Sequence, residues 1–514
     1  MTLRARRCSA SGRSVRPPPF EQQSNRRELH QEQASMSKKT GLVIVAAAVV
    51  AAFPASSWWL GKMIESAHDE QYRQVANLPY LTVASRDYQR GIYSATETVT
   101  FELSREWFQA MASQNPDAPP LDIPAEALRL TVKTDIAHGP LPHFKTVAAG
   151  IADSRLIFSD QIRAEIAKVL GDKDLIDIRT TYNFSGGGNA QMTSPAFAVE
   201  LPPDAMGGAG QLAWAGLTAN VDFTPGMKAY TLAADMPKLE VRQGEGRMLL
   251  AGMRLNATQQ RLFDNEPMFY VGSMSMGVDT MDVGPFADGE TQGQPVLLER
   301  IRYDVDIPAR GDFIDVVVKV GADTFKVGDQ NFGPAHYDIS LRNIHARTAA
   351  TLYTKLMALY GDPAIQAAAA EDPSVLFEPL AEPALALLGH NPELGLDRLS
   401  FSTRHGNAQL AARARFEGLA PEETGNPFVM MQKLDASGEL SLPEAFVAEL
   451  QANEAESEEE AQMMAEMFNQ QIEALAAQGF LKRDAGIMST RFAFKGGELT
   501  VNGLPFNPME MGGQ

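Results

Sequence analysis

The sequence has very little cysteine. Among 514 residues only Cys8 is a cysteine. A single thiol excludes an intrachain disulfide framework and any metal site built from several thiolates. Because no cysteine follows position 8, the main part of the chain suits an oxidising compartment, where a lone thiol is a liability.

Basic charge is also scarce. The chain carries 45 lysines and arginines against 64 aspartates and glutamates, so its formal net charge is −19 and its pI is about 4.9. Nonspecific binding to nucleic acid requires a basic face, and this composition argues against it. The 44% of hydrophobic residues is too high for a disordered chain. The length is typical of roughly three domains, or of one large β-rich domain with insertions.

Residues 1–35 differ in composition from the rest. They hold seven arginines against three glutamates, a net charge of +4 that leaves −23 for the remainder. The run Pro17-Pro18-Pro19 and the absence of hydrophobic periodicity predict a disordered basic prefix. Since Met36-Ser-Lys-Lys resembles a natural protein start, we interpret this prefix as a misplaced gene start. A cytoplasmic arm that contacts anionic lipid is the alternative.

An uncharged run of 21 residues, positions 41–61, comes next. As a helix it would span the hydrocarbon core of about 30 Å. Trp58 and Trp59 stand at its far end, and two lysines precede it. The positive-inside rule therefore predicts a single-pass signal anchor, with a cytoplasmic N-terminus and residues 62–514 on the other side of the membrane. A cleaved signal peptide is the alternative, although the two tryptophans follow its small-residue site directly.

The residues after the anchor mostly alternate between apolar and polar side chains. The segments 96–103, 128–132 and 301–307 do so strictly, which is typical of antiparallel strands with one buried face. Helical spacing is confined to a few segments, near 160–170, 348–360, 373–388 and 443–478. We therefore predict an α+β, β-dominated fold of long antiparallel sheets with a few covering helices, in one domain or two lobes, after one N-terminal transmembrane helix.

No motif in the sequence identifies a reaction. A metalloprotease helix, a nucleophile elbow and a phosphate loop are all missing. His138 and His143 flank a proline turn and could share a metal, but an ordinary half-exposed turn is the simpler interpretation. We assign no catalytic residue, no cofactor and no metal ligand from the sequence.

Short motifs in a fixed order do resemble a known family. Tyr88-Gln-Arg90-Gly91-Ile-Tyr93 follows the anchor, and His138-Gly139-Pro140 comes about 45 residues later. Tyr182-Asn-Phe-Ser-Gly and the C-terminal Gly497-Glu-Leu-Thr-Val-Asn complete the pattern. With the anchor, this order resembles the YdgA family of inner-membrane-anchored bacterial envelope proteins, a domain of unknown function. The resemblance implies an envelope location and supplies no catalytic residues.

The motif residues Tyr88, Arg90, Gly91, His138, Gly139 and Pro140 are the candidate functional positions. Gly91 suits a tight turn or bulge, and Arg90 could bind an anionic headgroup. The favoured function is a non-enzymatic binding or scaffolding module of the cell envelope, with a lipid or an envelope protein as its partner. A periplasmic hydrolase that acts on an envelope polymer, through an acid–base pair near His138 or His143, is the alternative.

Overall fold

A computed structural model shows a long antiparallel sheet with a helix at its start and further helices beside it. It describes residues 52–73, 80–105, 128–201 and 209–507, apart from positions 245, 285–286, 289–290, 293, 373 and 455–456. Across these ranges no helix is both long and apolar enough to cross a membrane. Residues 1–51, which hold the predicted basic prefix and most of the predicted anchor, lie outside them.

The first half of the sheet is a meander in which strands pair with their neighbours along the chain. Strand β6 skips to β9, and the β7–β8 hairpin pairs instead with the end of β10. The strands are β1 (Leu81–Arg90), β2 (Ser94–Leu103), β3 (Arg129–His138), β4 (Gly150–Ile157), β5 (Asp177–Tyr182), β6 (Gly188–Ser194), β7 (Phe197–Leu201), β8 (Gly210–Trp214), β9 (Leu217–Phe223), β10 (Ala229–Gln243), β11 (Gly246–Arg261) and β12 (Tyr270–Val283).

The second half continues the same sheet from β12 through β15, β17, β20, β21, β22, β23 and β25. A separate ribbon is formed by β13 (Ala287–Asp288) and β14 (Thr291–Gln292). The other strands are β15 (Val296–Ile307), β16 (Ala309–Arg310), β17 (Phe313–Ala322), β18 (Thr324–Val327), β19 (Gln330–Asn331), β20 (Ala335–His345), β21 (Glu393–Thr403), β22 (Gly406–Phe416), β23 (Leu434–Pro443), β24 (Lys482–Asp484), β25 (Ile487–Lys495), β26 (Glu498–Val501) and β27 (Leu504–Pro505).

Helices interrupt the meander at a few points. The first, α1, covers residues 52–73 of the described chain. The others are α2 (Asp160–Leu170), α3 (Ala346–Tyr360), α4 (Pro363–Glu371), α5 (Ser374–Leu388), α6 (Pro427–Lys433), α7 (Glu444–Glu454) and α8 (Glu458–Ala477). Their starts follow side-chain capping: Ser159, Asp362, Asn426 and Ser457 each accept a hydrogen bond from a first-turn backbone N–H.

The described hydrophobic core gathers at two places. One cluster packs α1 residues such as Ile64 on strands β2 to β5. The other packs the start of α3 against Val271, Ile314 and Ile344 of β12, β17 and β20. Between them no comparable buried cluster forms among the residues described.

The predicted β-dominated antiparallel architecture is confirmed, and so are the helices near 160–170, 348–360 and 373–388. The segment 443–478, predicted to be helical, contains two helices, α7 and α8. The short helix α6 begins at Pro427 under the cap of Asn426, outside the segments with predicted helical spacing. The turn predicted at Gly91 is present, but Gly91 does not use a left-handed backbone conformation.

Candidate functional site

The first feature of interest is the contact between α1 and strands β1 to β5, which we call the helix junction. The side chains that α1 buries recur at helical spacing, at Ser57, Leu60, Ile64 and His68. Ile64 and Ser57 are completely buried. Residues 52–61, which the predicted anchor includes, therefore belong to a helix that packs on the folded sheet.

Glycines allow the helix to approach the sheet closely. A Cβ at Gly61 would lie 2.5 Å from His138 Cε1, and a Cβ at Gly139 would lie 2.5 Å from Ser57 Oγ. Ser57 Oγ donates to the His138 carbonyl at 2.7 Å, and His138 Nδ1 meets the Ser57 carbonyl at 2.9 Å. Gly139 also has a φ of 126°, which L side chains rarely adopt. Backbone contact of this kind requires glycine on both sides.

A buried carboxylate fixes the other end of α1. The Glu97 side chain on β2 is fully buried, and its carboxylate meets His68 Nδ1 and Arg86 Nε, the latter at 2.6 Å. Tyr72 donates to the same carboxylate at 3.2 Å. The second ring nitrogen of His68 lies 2.8 Å from the Tyr182 hydroxyl. Two residues of α1 are thus tied to strands β1, β2 and β5.

The electrostatics of the helix junction follow from burial and pairing. Burial alone would raise the pKa of Glu97, but the hydrogen bonds and charges of His68 and Arg86 hold it below its ordinary value. Burial raises the pKa of Tyr182, and the nearby Glu97 charge adds to that shift. Burial lowers the pKa of His138, which keeps its ring neutral.

The Glu97 carboxylate contacts the His68 ring, which contacts the Tyr182 hydroxyl. This is the order of groups in an acid–base relay. A relay needs a hydroxyl that a substrate can reach. Tyr182 is only 4% exposed and packs in the core cluster with Ile64. This arrangement therefore positions a helix and does not offer a catalytic centre.

The structure brings most of the candidate residues from the sequence to the helix junction. Tyr88 packs against the core cluster, and Arg90 pairs with Glu65 of α1 at 3.3 Å. Gly91 donates its backbone N–H to Ser94 in the β1–β2 turn, at 2.7 Å. His138 and Gly139 contact α1 as described above, and Pro140 follows them in the β3–β4 loop.

The two histidines of the proline turn have separate environments. His138 is 2% exposed and bonds to α1, whereas His143 is exposed and has a left-handed backbone. No group of three or more potential metal ligands is present in the described ranges. The hydrolase alternative therefore gains no acid–base pair at this turn.

The second feature is an apolar groove on the other half of the sheet, with a volume of about 460 Å³. Aromatic rings follow one another along it: Phe325 to Phe332 at 5.8 Å between centroids, Phe332 to Phe401 at 6.3 Å, and Phe401 to Phe446 of α7 at 5.4 Å. The remaining lining includes Leu298, Ile301, Val320, Ala322, Ala335, Tyr337 and Leu399.

Strand register produces this groove. Residues directly opposite in an antiparallel pair share a face. One row of such partners runs unbroken across eight strands: Leu255, Met276, Tyr303, Val320, Tyr337, Leu399, Leu410 and Leu440. The neighbouring row, on the opposite face, is polar: Asn256, Ser275, Asp304, Lys319, Asp338 and Arg398. A register shift after Leu396 keeps Leu399 on the apolar face.

One histidine and one serine touch the groove wall. His336 and Ser400 are cross-strand partners, and Ser400 Oγ lies 3.4 Å from His336 Nδ1. Because side chains alternate along a strand, they project to the opposite face from their neighbours Tyr337 and Leu399. The groove face of these two strands is therefore apolar, and this Ser–His pair does not face a ligand held there.

The sequence does not predict the groove, although it predicts a strand in the alternating segment 301–307 beside it. The missing information was the register, which decides that Tyr303, Val320 and Tyr337 stand side by side. The helix junction left a clearer signal, since its glycines, His138 and Arg90 form short motifs.

The fold defines a class: β-dominated α+β proteins built on one long antiparallel meander, with a helix packed at its start. Within that class, the chain belongs to the bacterial family described as "Bacterial protein of unknown function (DUF945)", whose model matches residues 36–509. No curated protein and no solved structure matches the chain. The expected bacterial family without assigned activity is confirmed, and the YdgA name stays a prediction.

Proposed function

We propose that this chain is a membrane-attached protein of the bacterial envelope that binds a lipid acyl chain in the apolar groove. The observation that supports the ligand is the groove itself, a row of aromatic and aliphatic side chains with a volume of about 460 Å³. Small-molecule sites typically measure ~300–1,000 Å³ and bury most of the ligand. The uncharged residues 41–51 that precede α1 and the cysteine-free remainder support the envelope location.

The size of the groove favours an acyl chain over a protein partner. A specific protein–protein interface covers about 800 Å² on each side and combines an apolar centre with a polar rim. The groove is narrower than such a patch, and aromatic side chains of β18, β21 and α7 line it. An unbranched hydrocarbon needs no hydrogen-bond partner, and apart from the hydroxyl of Tyr337 the side chains that face the groove are apolar.

Catalysis receives less support. Among the described residues, the groove contains no converging carboxylates, and its one Ser–His pair projects to the other face of the sheet. The Ser400–His336 distance of 3.4 Å also exceeds the ~2.6–3.2 Å over which a base takes a proton from a nucleophile. The hydrolase alternative thus has no specific observation in its favour.

Photocrosslinking locates the ligand. The photoreactive residue p-benzoylphenylalanine is placed at one of two positions. The test position is Tyr337, which lines the groove and is 47% exposed. The control position is Tyr360 of α3, which is 38% exposed and lies outside the groove. The full chain, transferred from detergent to amphipol, is incubated with palmitic acid, irradiated and weighed by mass spectrometry. A palmitate adduct at position 337 and none at 360 supports the proposal. Equal labelling at both positions, or none at 337, overturns it.

A further inference from the structure

Apolar side chains surround the start of α1 in an unusual way, because most of them face solvent. We call this group the aromatic rim: Trp58, Ile92, Tyr93, Leu141, Phe144 and Val147. Phe144 is 79% exposed and Val147 is 75% exposed. Such a patch of exposed large apolar residues marks a surface that contacts another apolar phase or partner.

The rim is one continuous surface drawn from separate parts of the chain. Phe53 of α1 stacks on Phe144 with 5.9 Å between ring centroids, and its ring lies 6.1 Å from that of Tyr93. The His138 backbone donates to the Tyr93 carbonyl at 2.9 Å, which joins the β1–β2 turn to the β3–β4 loop. Three elements thus present their apolar side chains around the same helix end.

The backbone is unusual where the rim carries Phe144. His143 and Phe144 are consecutive residues with φ values of 52° and 56°, in the left-handed region that non-glycine residues rarely adopt. Conformations of this kind persist only where the surroundings impose them, and they concentrate at functional positions. The exposed ring of Phe144 thus stands on a constrained turn.

Basic side chains accompany the rim in a strongly acidic chain. Arg90 lies over the Trp58 ring at 5.0 Å and Lys62 lies over it at 5.9 Å. Lys145 is exposed in the same loop as Phe144. Aromatic rings together with lysine and arginine are the side chains that favour the headgroup layer of a membrane, where anionic lipids attract positive charge.

The chain that precedes α1 identifies the partner. Residues 41–51, directly before the described helix, carry no charged side chain and read Gly-Leu-Val-Ile-Val-Ala-Ala-Ala-Val-Val-Ala. They join the folded part next to Phe53, whose ring contacts Tyr93 and Phe144 of the rim. We infer that the aromatic rim rests in the headgroup layer of the lipid bilayer, so that the folded domain itself, and not only the anchor, contacts the membrane.

This inference rests on the proposed membrane attachment and is independent of any ligand in the groove. It also fixes the orientation of the domain on the membrane, because the β1–β2, β3–β4 and β5–β6 turns lie at the same end of the strands as the rim. The loop between α2 and β5 lies at the opposite end, since β4 runs away from the rim. The two ends of the strands therefore provide a matched pair of positions for a test.

Two cysteine variants of the full chain, both with Cys8→Ser, place an environment-sensitive fluorophore at Val147→Cys in the rim or at Lys173→Cys at the far edge. Both positions are exposed, so the label disturbs no core. Each protein is reconstituted into phosphatidylcholine–phosphatidylglycerol vesicles, with or without headgroup-proximal doxyl lipid. We expect a blue shift and a loss of fluorescence to doxyl lipid at position 147, and neither at position 173.

The outcomes separate the two proposals. If the protein sediments with the vesicles but the label at 147 is as water-exposed as the label at 173, the inference about the rim is overturned while the membrane attachment stands. If the protein does not sediment with the vesicles, the proposed attachment fails and the inference fails with it. Quenching at both positions would also contradict the inference, because it would mean that the sheet lies flat on the bilayer.

Discussion

The helix junction and the apolar groove are built on the same sheet, yet the junction buries polar groups and the groove keeps them away from its surface. The junction buries Glu97 and satisfies it with His68, Arg86 and Tyr72. In the groove, alternation along the strands and the register shift after Leu396 keep most polar side chains on the other face, and the apolar face stays partly uncovered. A buried charge and its partners must keep one arrangement, because separating them is costly. An open apolar face, in contrast, is stabilised only when something covers it. The comparison teaches that the first region positions the domain and the second is available for a ligand.

The largest expected effect is at the buried carboxylate. The change Glu97→Gln removes a fully buried charge that both His68 and Arg86 contact, although Arg86 keeps its pair with Asp69. We therefore expect a loss of about 3–5 kcal/mol in the free energy of unfolding. Urea denaturation of the full chain, followed by circular dichroism, measures it. The control is Glu439→Gln, which removes an exposed pair with Arg491 whose worth is ~0–1 kcal/mol. Similar losses of unfolding free energy for both variants would show that the buried carboxylate contributes no more than an exposed ion pair.

The next effect concerns close packing. In Gly61→Ala the new Cβ would lie 2.5 Å from the His138 ring, so helix and sheet must separate. Overpacking of this kind costs about 1–3 kcal/mol of unfolding free energy. Gly425→Ala is the matched control, because its Cβ would meet nothing within 4 Å. Equal stability of the two variants in thermal unfolding would contradict the described contact.

Acid should weaken the helix junction without any mutation. The pKa of Glu97 is lower in the folded chain than its ordinary value of 4.5, so the stability that it contributes is complete above that value. The contribution is lost as the pH falls through 4.5 toward the lowered folded pKa. Unfolding free energy measured against pH should therefore fall in this acid range more steeply for the wild-type chain than for Glu97→Gln. Parallel curves would mean that another group is responsible.

The smallest effect on stability, and the clearest on binding, is expected in the groove. Val320→Gln places an amide on the apolar face, whereas Lys319→Gln changes the adjacent residue on the polar face. Desolvating an unpaired amide costs about 1–3 kcal/mol, so we expect roughly tenfold weaker palmitate binding for Val320→Gln alone. Titration of a fluorescent fatty acid into the full chain in amphipol measures it. Unchanged affinity in Val320→Gln would move the ligand away from this groove.

Short-range patterns predicted much of the molecule. Period-two spacing indicated strands in the segments 96–103, 128–132 and 301–307, and these residues lie in β2, β3 and β15. Helical spacing found α2, α3, α5 and the pair α7 and α8.

The candidate site was foreseen only in part. The motif residues Arg90, Gly91, His138 and Gly139 were singled out, and the structure gathers them around α1. Their most important companion, Glu97, was not, because a glutamate within the alternating segment 96–103 looks like an ordinary solvent-facing residue. Its burial depends on α1 arriving from a distance of about 30 residues along the chain, and no local pattern records that.

The sequence by itself determined the acidic, cysteine-poor composition, the uncharged run before α1 and the alternation that commits the chain to antiparallel strands. These properties depend only on residue types and on spacings of a few positions, and both can be read from one sequence. Only the tertiary structure decided which strands are neighbours, and in which register. Register places Leu255, Tyr303, Val320 and Leu399 in one apolar row, and the packing of α1 on the sheet brings Glu97 beneath His68. Both sites exist because residues far apart in sequence share a face, and that relation is a property of the folded sheet.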